Sequence, residues 1–291
     1  MMWDAYLFPR SIDEALHVLA SHRGQARIIA GGTDLFLQSD RGQCPSTAMV
    51  DITRIPDLDL VEERDGFIYI GCQVTHSQIV ASGIIDQWAP VLSMACRHVG
   101  GPQIRNTGTL VGNVMNARPA ADGAVALFAL DAEVEIASLD GLRWEPIADI
   151  YEGVGVCTID ACDEMVTGLR FRPLAEGSGC GFRRLSRRRA LTLPSLLVAA
   201  VITVDGEEVR SARIALGPVA PTPFRAQEAE SLLLGKRVTS SRIAAAAERA
   251  AESARPRDSS IRGSSTYRKA MVKVMVERAL RDALEACKLE S

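Results

Sequence analysis

The sequence lacks the short motifs by which many chains bind metals or nucleoside triphosphates. It has no Cys-x-x-Cys, so neither a zinc knuckle nor an iron–sulfur binding loop is encoded. It has no Gly-Lys-Ser/Thr and no Gly-x-Gly-x-x-Gly, which disfavours an NTP site and a Rossmann site. The four histidines (His17, His22, His76 and His98) come without a nucleophile elbow or metal-ligand spacing. We therefore predict no catalytic residue and no metal site on this chain.

The chain also has no large excess of positive or negative charge and no long hydrophobic run. The net charge is −3 and the arginine runs 183–184 and 187–189 are local, so the basic bias of a nucleic-acid-binding protein is missing. The most apolar run, Leu191–Val204, contains Pro194 and is too short to span a membrane. The N-terminus, Met1–Tyr6, has neither the basic nor the apolar region of an export signal. Because the seven cysteines are odd in number and scattered, we expect reduced thiols and a cytoplasmic location.

The size and composition indicate a globular protein of more than one domain. The chain has 291 residues, of which 47% are hydrophobic, and this length exceeds one compact core. The composition of Gly177–Gly181 is typical of a linker, and we place the boundary there. The sequence thus predicts a domain over residues 1–175, with subdomains of about 1–57 and 58–175, and a small α+β domain over 182–291.

Secondary structure follows from hydrophobic periodicity and capping residues. The predicted helices are 11–20, one beginning at Thr75, 89–98, 226–234, 241–254 and 267–287. The predicted strands are 26–30, 48–52, 67–71 and 165–171, with a hairpin formed by 196–204 and 211–216 around a turn at Asp205-Gly206. The segments 124–130 and 133–137 are apolar and regular.

A first glycine motif follows the strand 26–30 directly. Gly31-Gly32-Thr33-Asp34 leads from this strand into a new helix beginning near Leu35. Such a turn leaves backbone N–H groups free at the positive end of a helix, where a phosphate can bind. The alternative is an ordinary tight turn between strand and helix.

A second, longer motif runs from Gly100 to Asp122. Its first fourteen positions hold glycines, small hydroxyl and amide residues and a single arginine, with almost no bulky apolar side chain. We therefore expect that it cannot build core and that its glycines let the backbone approach a ligand. An ordinary surface loop is the alternative. We interpret His76, which lies outside this motif, as a polar first-turn residue of a helix rather than as a ligand.

The residues of these motifs resemble a known family, the flavin-binding medium subunits of molybdenum hydroxylases, related to xanthine dehydrogenase and carbon monoxide dehydrogenase. The matching stretches, in chain order, are Tyr6-Leu7-Phe8-Pro9, Ala30-Gly31-Gly32-Thr33-Asp34-Leu35, Gln103-Ile104-Arg105-Asn106, Thr109-Leu110-Val111-Gly112-Asn113, Pro119-Ala120-Ala121-Asp122, 217–223 and 263–268. The resemblance extends over the whole chain. It implies an α+β protein with a two-subdomain FAD-binding domain of the p-cresol methylhydroxylase (vanillyl-alcohol-oxidase-like) type, followed by a small α+β domain.

The resemblance also implies which residues hold FAD. They are Arg27, Ile28, Ile29, Ala30, Gly31, Gly32, Thr33, Asp34, Leu35, Gly108, Thr109, Gly112 and Asn113 at the pyrophosphate and ribitol, Val99, Gly100, Ile104, Met115, Asn116, Ala121 and Asp122 completing the pocket, and Leu169 and Arg184 near the isoalloxazine ring. The sequence departs from the family pattern at two of its positions. Val111 stands where the family usually has a glycine, and Arg184 where a lysine is common.

By the same resemblance, the chain transfers electrons as one subunit of an oxidoreductase. A partner large subunit would carry the molybdenum cofactor and a small subunit the iron–sulfur clusters, in a dimer of heterotrimers. FAD on this chain would pass electrons to NAD or another acceptor. The alternative is a structural or assembly subunit that has lost its flavin, which Val111 favours.

Overall fold

The computed structural model describes residues 3–44, 46–188 and 191–289. Arg189 of the predicted basic run, and Met1 and Met2 of the N-terminus, lie outside the described residues.

The N-terminal part folds into a three-stranded parallel sheet. Its strands are β1 (Ala5–Leu7), β2 (Ala26–Ile29) and β3 (Ala48–Asp51), its helices are α1 (Ile12–Ser21) and α2 (Leu35–Asp40), and a short 3-10 helix covers Ile52–Arg54. β3 lies between β1 and β2. The helix predicted from 11–20 is confirmed, because the Ser11 hydroxyl accepts a hydrogen bond from the Glu14 N–H and begins α1.

The second part is a five-stranded antiparallel sheet with six helices inserted between its strands. The strands are β4 (Val61–Arg64), β5 (Phe67–Gly71), β6 (Glu133–Ser138), β7 (Gly141–Pro146) and β10 (Met165–Phe171), and a small hairpin is formed by β8 (Tyr151–Gly153) and β9 (Val156–Cys157). The helices are α3 (His76–Ala81), α4 (Gly83–Trp88), α5 (Pro90–Cys96), α6 (Pro102–Arg105), α7 (Leu110–Met115) and α8 (Asp122–Ala129). The strand order β4-β5-β10-β6-β7 puts β10 in the middle, and the strand predicted at 165–171 is confirmed.

The C-terminal part is a four-stranded antiparallel sheet covered by helices. It contains β11 (Ser178–Leu185), β12 (Leu196–Asp205), β13 (Glu208–Gly217) and β14 (Phe224–Arg225), followed by α9 (Gln227–Ser231), α10 (Ser240–Ser253) and α11 (Ser265–Leu289). The predicted hairpin is confirmed, but its turn comes one residue later. Asp205 pairs with Glu208, which leaves Gly206 and Glu207 as the turn.

The apolar run of β12 is explained by a core on each face of the C-terminal sheet. Leu197, Ala199 and Val201 belong to the core shared with the two N-terminal parts. Val198 and Ala200 belong to a second core formed with α10 and α11. Because successive residues of a strand point to opposite faces, a strand covered on both sides is apolar at consecutive positions, as in 196–202 of β12.

The prediction that Gly177–Gly181 is a linker is wrong. Ser178–Leu185 is strand β11, paired along its whole length with β12 and covered by α11. A Cβ on Gly179 would lie 2.0 Å from the Ala283 carbonyl oxygen, and one on Gly181 would lie 2.2 Å from that of Ala279. The glycines are there because the backbone of a helix passes directly over this strand.

The expectation that Gly100–Asp122 cannot build core is also wrong for its second half. Leu110, Val111 and Val114 lie on α7 and are buried in the main core. Small residues continue into α7 as Gly112 and Asn113, but the other positions of this helix form an apolar face. In the part of the chain that the structure describes, no helix has both the length and the apolar character needed to cross a membrane.

Candidate functional site

The two glycine motifs lie against each other in the fold. A Cβ on Gly31 would lie 1.9 Å from the Thr107 carbonyl oxygen and 3.1 Å from the Gly108 Cα atom. A Cβ on Gly108 would in turn lie 3.2 Å from the Thr33 hydroxyl oxygen. Side chains at Gly31 and Gly108 would therefore push the two backbones apart. We call Gly31–Asp34 the first glycine segment and Gly108–Asn113 the second.

The first glycine segment presents backbone N–H groups that have no partner among the described residues. Gly32 has a φ of +66°, the left-handed conformation that glycine adopts at little cost. The N–H groups of Gly32, Thr33 and Asp34 donate no hydrogen bond to any of the described residues. Consecutive free N–H groups of this kind form a concave donor site that suits an anionic oxygen.

The second glycine segment is held rigidly but leaves one side-chain atom unsatisfied. The Thr109 hydroxyl accepts a hydrogen bond from the Gly112 N–H at 3.0 Å and begins α7. The Gly108 carbonyl accepts one from the His76 N–H at 3.1 Å. The Asn113 Oδ1 atom is buried and has no hydrogen-bond partner in the described part of the chain. A buried acceptor of this kind is costly unless a ligand or water satisfies it.

Between the segments lies a first cavity with a volume of about 450 Å³. The predicted FAD-site residues that line it are Arg27, Ile28, Ile29, Ala30, Gly31, Gly32, Thr33, Asp34, Leu35, Val99, Ile104, Gly108, Thr109, Gly112, Asn113, Met115 and Asn116. These residues are far apart in sequence, and the contact between the two glycine segments brings them to one place.

A second and larger cavity of about 1130 Å³ adjoins the first. The two share wall residues, among them Val99, Asn113 and Asn116. The second cavity is also lined by the predicted site residues Gly100, Ala121, Asp122 and Arg184. Leu169 is the exception among the predicted site residues. It is fully buried in β10 and lines neither cavity.

Asp122 and Arg184 form a buried ion pair in the wall of the second cavity. The Arg184 Nε–H donates to Asp122 Oδ1 at 2.8 Å, and both side chains are less than a tenth exposed. Arg184 also donates to the Thr192 carbonyl oxygen. Burial raises the pKa of Asp122 to about 6 although Arg184 lowers it. The pair links α8 to β11. It therefore connects the N-terminal and C-terminal parts of the chain in the wall of the second cavity.

Comparisons with known proteins agree over nearly the whole chain. Residues 2–172 match the family described as the FAD binding domain in molybdopterin dehydrogenase, and residues 182–283 match the CO dehydrogenase flavoprotein C-terminal domain. The chain belongs to the FAD-binding medium subunits of the molybdenum hydroxylase family. The predicted fold and the predicted flavin cofactor are thereby confirmed.

Individual relatives of this medium subunit support the same assignment. The 6-hydroxypseudooxynicotine dehydrogenase complex subunit alpha of Paenarthrobacter nicotinovorans is 36% identical, with 96% of this chain and 94% of that protein covered. The putative xanthine dehydrogenase FAD-binding subunit of Escherichia coli is 30% identical, with 95% and 94% covered. The structure of carbon monoxide dehydrogenase from Hydrogenophaga pseudoflava superposes with a TM-score of 0.94 at 30% identity and covers 98% of each chain.

The residues of the first cavity fit FAD. The free N–H groups at Gly32–Asp34 suit the oxygens of a pyrophosphate, and Asn113 Oδ1 can accept a hydrogen bond from a hydroxyl of the ribityl chain. Val111 is only 5% exposed and packs in the main core, so the cavity stays open beside it. Bound FAD supplies the redox chemistry, and this chain supplies its position and surroundings.

His76 lies in the site of this flavin subunit, where sequence reasoning did not expect it. It begins α3, as predicted, but it is 2% exposed and lines the first cavity. Its Nδ1 atom lies 3.4 Å from the Cys96 Sγ atom. Burial, and to a lesser degree the charge of Arg105, lowers the pKa of His76 to about 4. His76 is therefore a neutral wall residue at neutral pH.

Further wall residues of the first cavity lie outside the predicted set. They are Gln38, Gln43, Ile52, Cys72, Val111, Arg118, Gly155, Cys157, Ile159, Ala161, Glu164, Met165 and Val166. Those from Gly155 to Val166 lie on or beside β9 and β10, which carry no recognisable motif. Their own sequence carries no signal for the site, because only the packing of these strands brings them there.

Proposed function

We propose that this FAD-binding medium subunit passes electrons from iron–sulfur clusters on a partner subunit, through FAD, to an external acceptor. The main observation behind the proposal is that the two glycine segments contact each other beside the first cavity. The larger second cavity adjoins it. The first cavity offers the donors that FAD needs, and the adjoining cavity gives a second molecule room beside it. The role of this chain is to bind the flavin, orient it and control what reaches it.

The proposal includes partner subunits. The relatives support this by their names, since one is a subunit of a dehydrogenase complex and another is called an FAD-binding subunit. We expect a large subunit with the molybdenum cofactor and a small subunit with iron–sulfur clusters. Among the described residues, no three His, Cys, Asp or Glu side chains are grouped as metal ligands. A dimer of heterotrimers, NAD as acceptor and a cytoplasmic location stay predictions.

We also propose that the chain divides into domains at 1–175 and 182–291. The ends of the two family matches, residues 172 and 182, support this division. So does the change of sheet between β10 and β11. Limited proteolysis would test it. We expect the first cut between residues 172 and 177, which connect the two strands.

Flavin content and assembly together test the proposed function. The purified chain should contain close to one FAD per polypeptide, measured by visible absorbance and by chromatography of the released cofactor. Coexpressed with its large and small subunits, it should elute with them, and its flavin should bleach when substrate is added anaerobically. A colourless chain that takes up no FAD would favour the assembly-subunit alternative. An active complex formed without this chain would contradict the electron-transfer role.

A further inference from the structure

The second cavity is lined by an excess of positive charge. Its seven arginines are Arg41, Arg118, Arg184, Arg255, Arg257, Arg262 and Arg268, and its acidic residues among those described are Asp34, Asp122 and Asp258. Of these arginines, only Arg184 has a carboxylate within 4.0 Å in the described part of the chain. The Asp258 carboxylate already accepts a hydrogen bond from the Ser265 N–H at 2.5 Å. Most of the positive charge is therefore not neutralised by the protein.

Arg268 is buried and bound only to neutral groups. Its Nε–H donates to the Ser195 carbonyl oxygen and its Nη1–H to that of Arg257, both at 3.0 Å. A third bond goes to the Pro218 carbonyl oxygen. These bonds use three of the five N–H donors of the guanidinium group but do not cancel its charge.

Arg262 lies close to Arg268 and adds a second uncompensated charge. Its Nε atom is buried and has no hydrogen-bond partner among the residues that the structure describes. Burial lowers the pKa of Arg262, and both burial and the charge of Arg262 lower the pKa of Arg268. Two like charges that lie near each other, one buried and one partly buried, are costly without a counter-ion, and a bound anion would relieve that cost.

From this arrangement we propose that Arg257 and Arg262 bind the anionic group of a small oxyanion-bearing molecule, a phosphate or carboxylate compound, that occupies the second cavity. The planar guanidinium group matches both oxyanions because it donates two parallel hydrogen bonds. Neither arginine belongs to the residues expected to hold FAD. The inference rests on the proposed function only in placing FAD in the first cavity with its ring end toward Arg184, and it gives the rest of the second cavity, around Arg257 and Arg262, its own ligand.

The shape of the site favours a small molecule over an acidic segment of a partner protein. The arginines line a half-open cavity of about 1130 Å³. Pockets of about 300–1000 Å³ hold drug-sized ligands, so this cavity has room for one. The shared wall residues Val99, Asn113 and Asn116 place the occupant next to the first cavity.

Calorimetric titration of the FAD-loaded full-length chain tests the proposal, with pyrophosphate and succinate as probes. We expect the wild type to bind at least one of them. The double variant Arg257→Gln/Arg262→Gln should weaken that binding at least tenfold at unchanged flavin content. The Arg257 side chain has no partner among the described residues, and the Arg262 side chain leaves its Nε unsatisfied, so these changes should not impair folding.

A matched control removes two positive charges elsewhere. Arg210→Gln/Arg278→Gln changes two exposed arginines that line neither cavity, and it should bind the probes like the wild type. The probe that binds more tightly shows whether the site prefers a phosphate or a carboxylate.

Three results would overturn the proposal. They are no binding of either probe to the FAD-loaded wild type, equal weakening in the control variant, and binding that occurs only when FAD is absent. The last would mean that the arginines serve the phosphates of FAD itself. A failure of the proposed function is distinct, because it would show as a chain without flavin. Should the double variant not fold, Arg257→Gln alone gives the same comparison, with weakening of at least threefold expected.

Discussion

Two glycine-rich segments of this chain look alike in sequence and differ in what approaches them. In the first glycine segment, Gly31 meets the Thr107–Gly108 backbone of another loop, and beside that contact a cavity remains. In Gly177–Gly181, Gly179 and Gly181 lie under the backbone of α11, and no space remains between strand and helix. Both segments use glycine because a second backbone comes within reach of where a Cβ would be.

The two segments differ in whether unpaired backbone N–H groups remain beside the place where the two backbones make contact. Around Gly31 the N–H groups of the following residues have no partner among the described residues. β11 is an edge strand that pairs with β12 along its whole length, and where α11 covers Gly179 and Gly181 these residues line neither cavity. A glycine cluster therefore indicates close approach, and it forms a binding site only where unsatisfied polar groups face a cavity.

The largest effect is expected where α11 packs on β11. The double variant Gly179→Ala/Gly181→Ala places methyl groups about 2 Å from two helix carbonyl oxygens, so the helix must move. We expect the free energy of unfolding to fall by about 3 kcal/mol or more, as for overpacked cores. Urea denaturation would measure it.

The control for this variant is Gly153→Ala in β8, where a Cβ would meet no atom within 4 Å. Its free energy of unfolding should change by less than about 1 kcal/mol. Equal stabilities of the double variant and the wild type would show that α11 does not pack on β11 as described.

A buried histidine beside the second glycine segment predicts a pH effect in that region. The pKa of His76 is lowered from 6.5 to about 4 in the folded chain, so between these values the unfolded chain binds more protons. Stability should therefore be complete above pH 6.5 and fall as the pH is lowered. The contribution of His76 to this loss is about 3 kcal/mol.

The variant His76→Gln should lack this component. Denaturation curves at several pH values would show a flatter dependence between pH 6.5 and about 4 than for the wild type. A variant with the same slope as the wild type would mean that His76 is not held neutral by burial.

The variant Gly31→Ala tests whether contact between the two glycine segments creates the flavin site. A methyl group 1.9 Å from the Thr107 carbonyl oxygen forces the segments apart. We expect FAD affinity to fall at least tenfold, or about 1.4 kcal/mol, in equilibrium dialysis. Gly83→Ala, in open space on α4, is the control and should bind FAD normally. If Gly31→Ala binds FAD as tightly as the wild type, the contact between the glycine segments is not required for flavin binding.

The smallest effect on flavin is expected at Val111, where the family usually has glycine. Because Val111 packs in the main core, Val111→Gly should change FAD affinity by less than tenfold, or about 1.4 kcal/mol. The same dialysis would measure it. Tightening beyond tenfold would show that the valine side chain obstructs the site and would favour the assembly-subunit alternative.

Local features of the chain could be predicted because interactions between residues close in sequence stabilise them. The Ser11 and Thr75 caps, the turn near Gly206 and the buried strand 165–171 each depend on residues close in sequence. Strand β4, Val61–Arg64, was missed since three of its four residues are charged. It exists because it pairs with β5 at the edge of the sheet.

The sequence by itself determined the family, the cofactor and the two glycine segments, because these depend on short runs of residues. Only the tertiary structure decided what each glycine run approaches. It also decided that Asp122 pairs with Arg184, that His76 lines the first cavity, and that arginines between positions 41 and 268 surround the second. The physical reason is that such contacts join residues tens or hundreds of positions apart. Their geometry is set by how sheets and helices pack as whole elements, which no local pattern encodes.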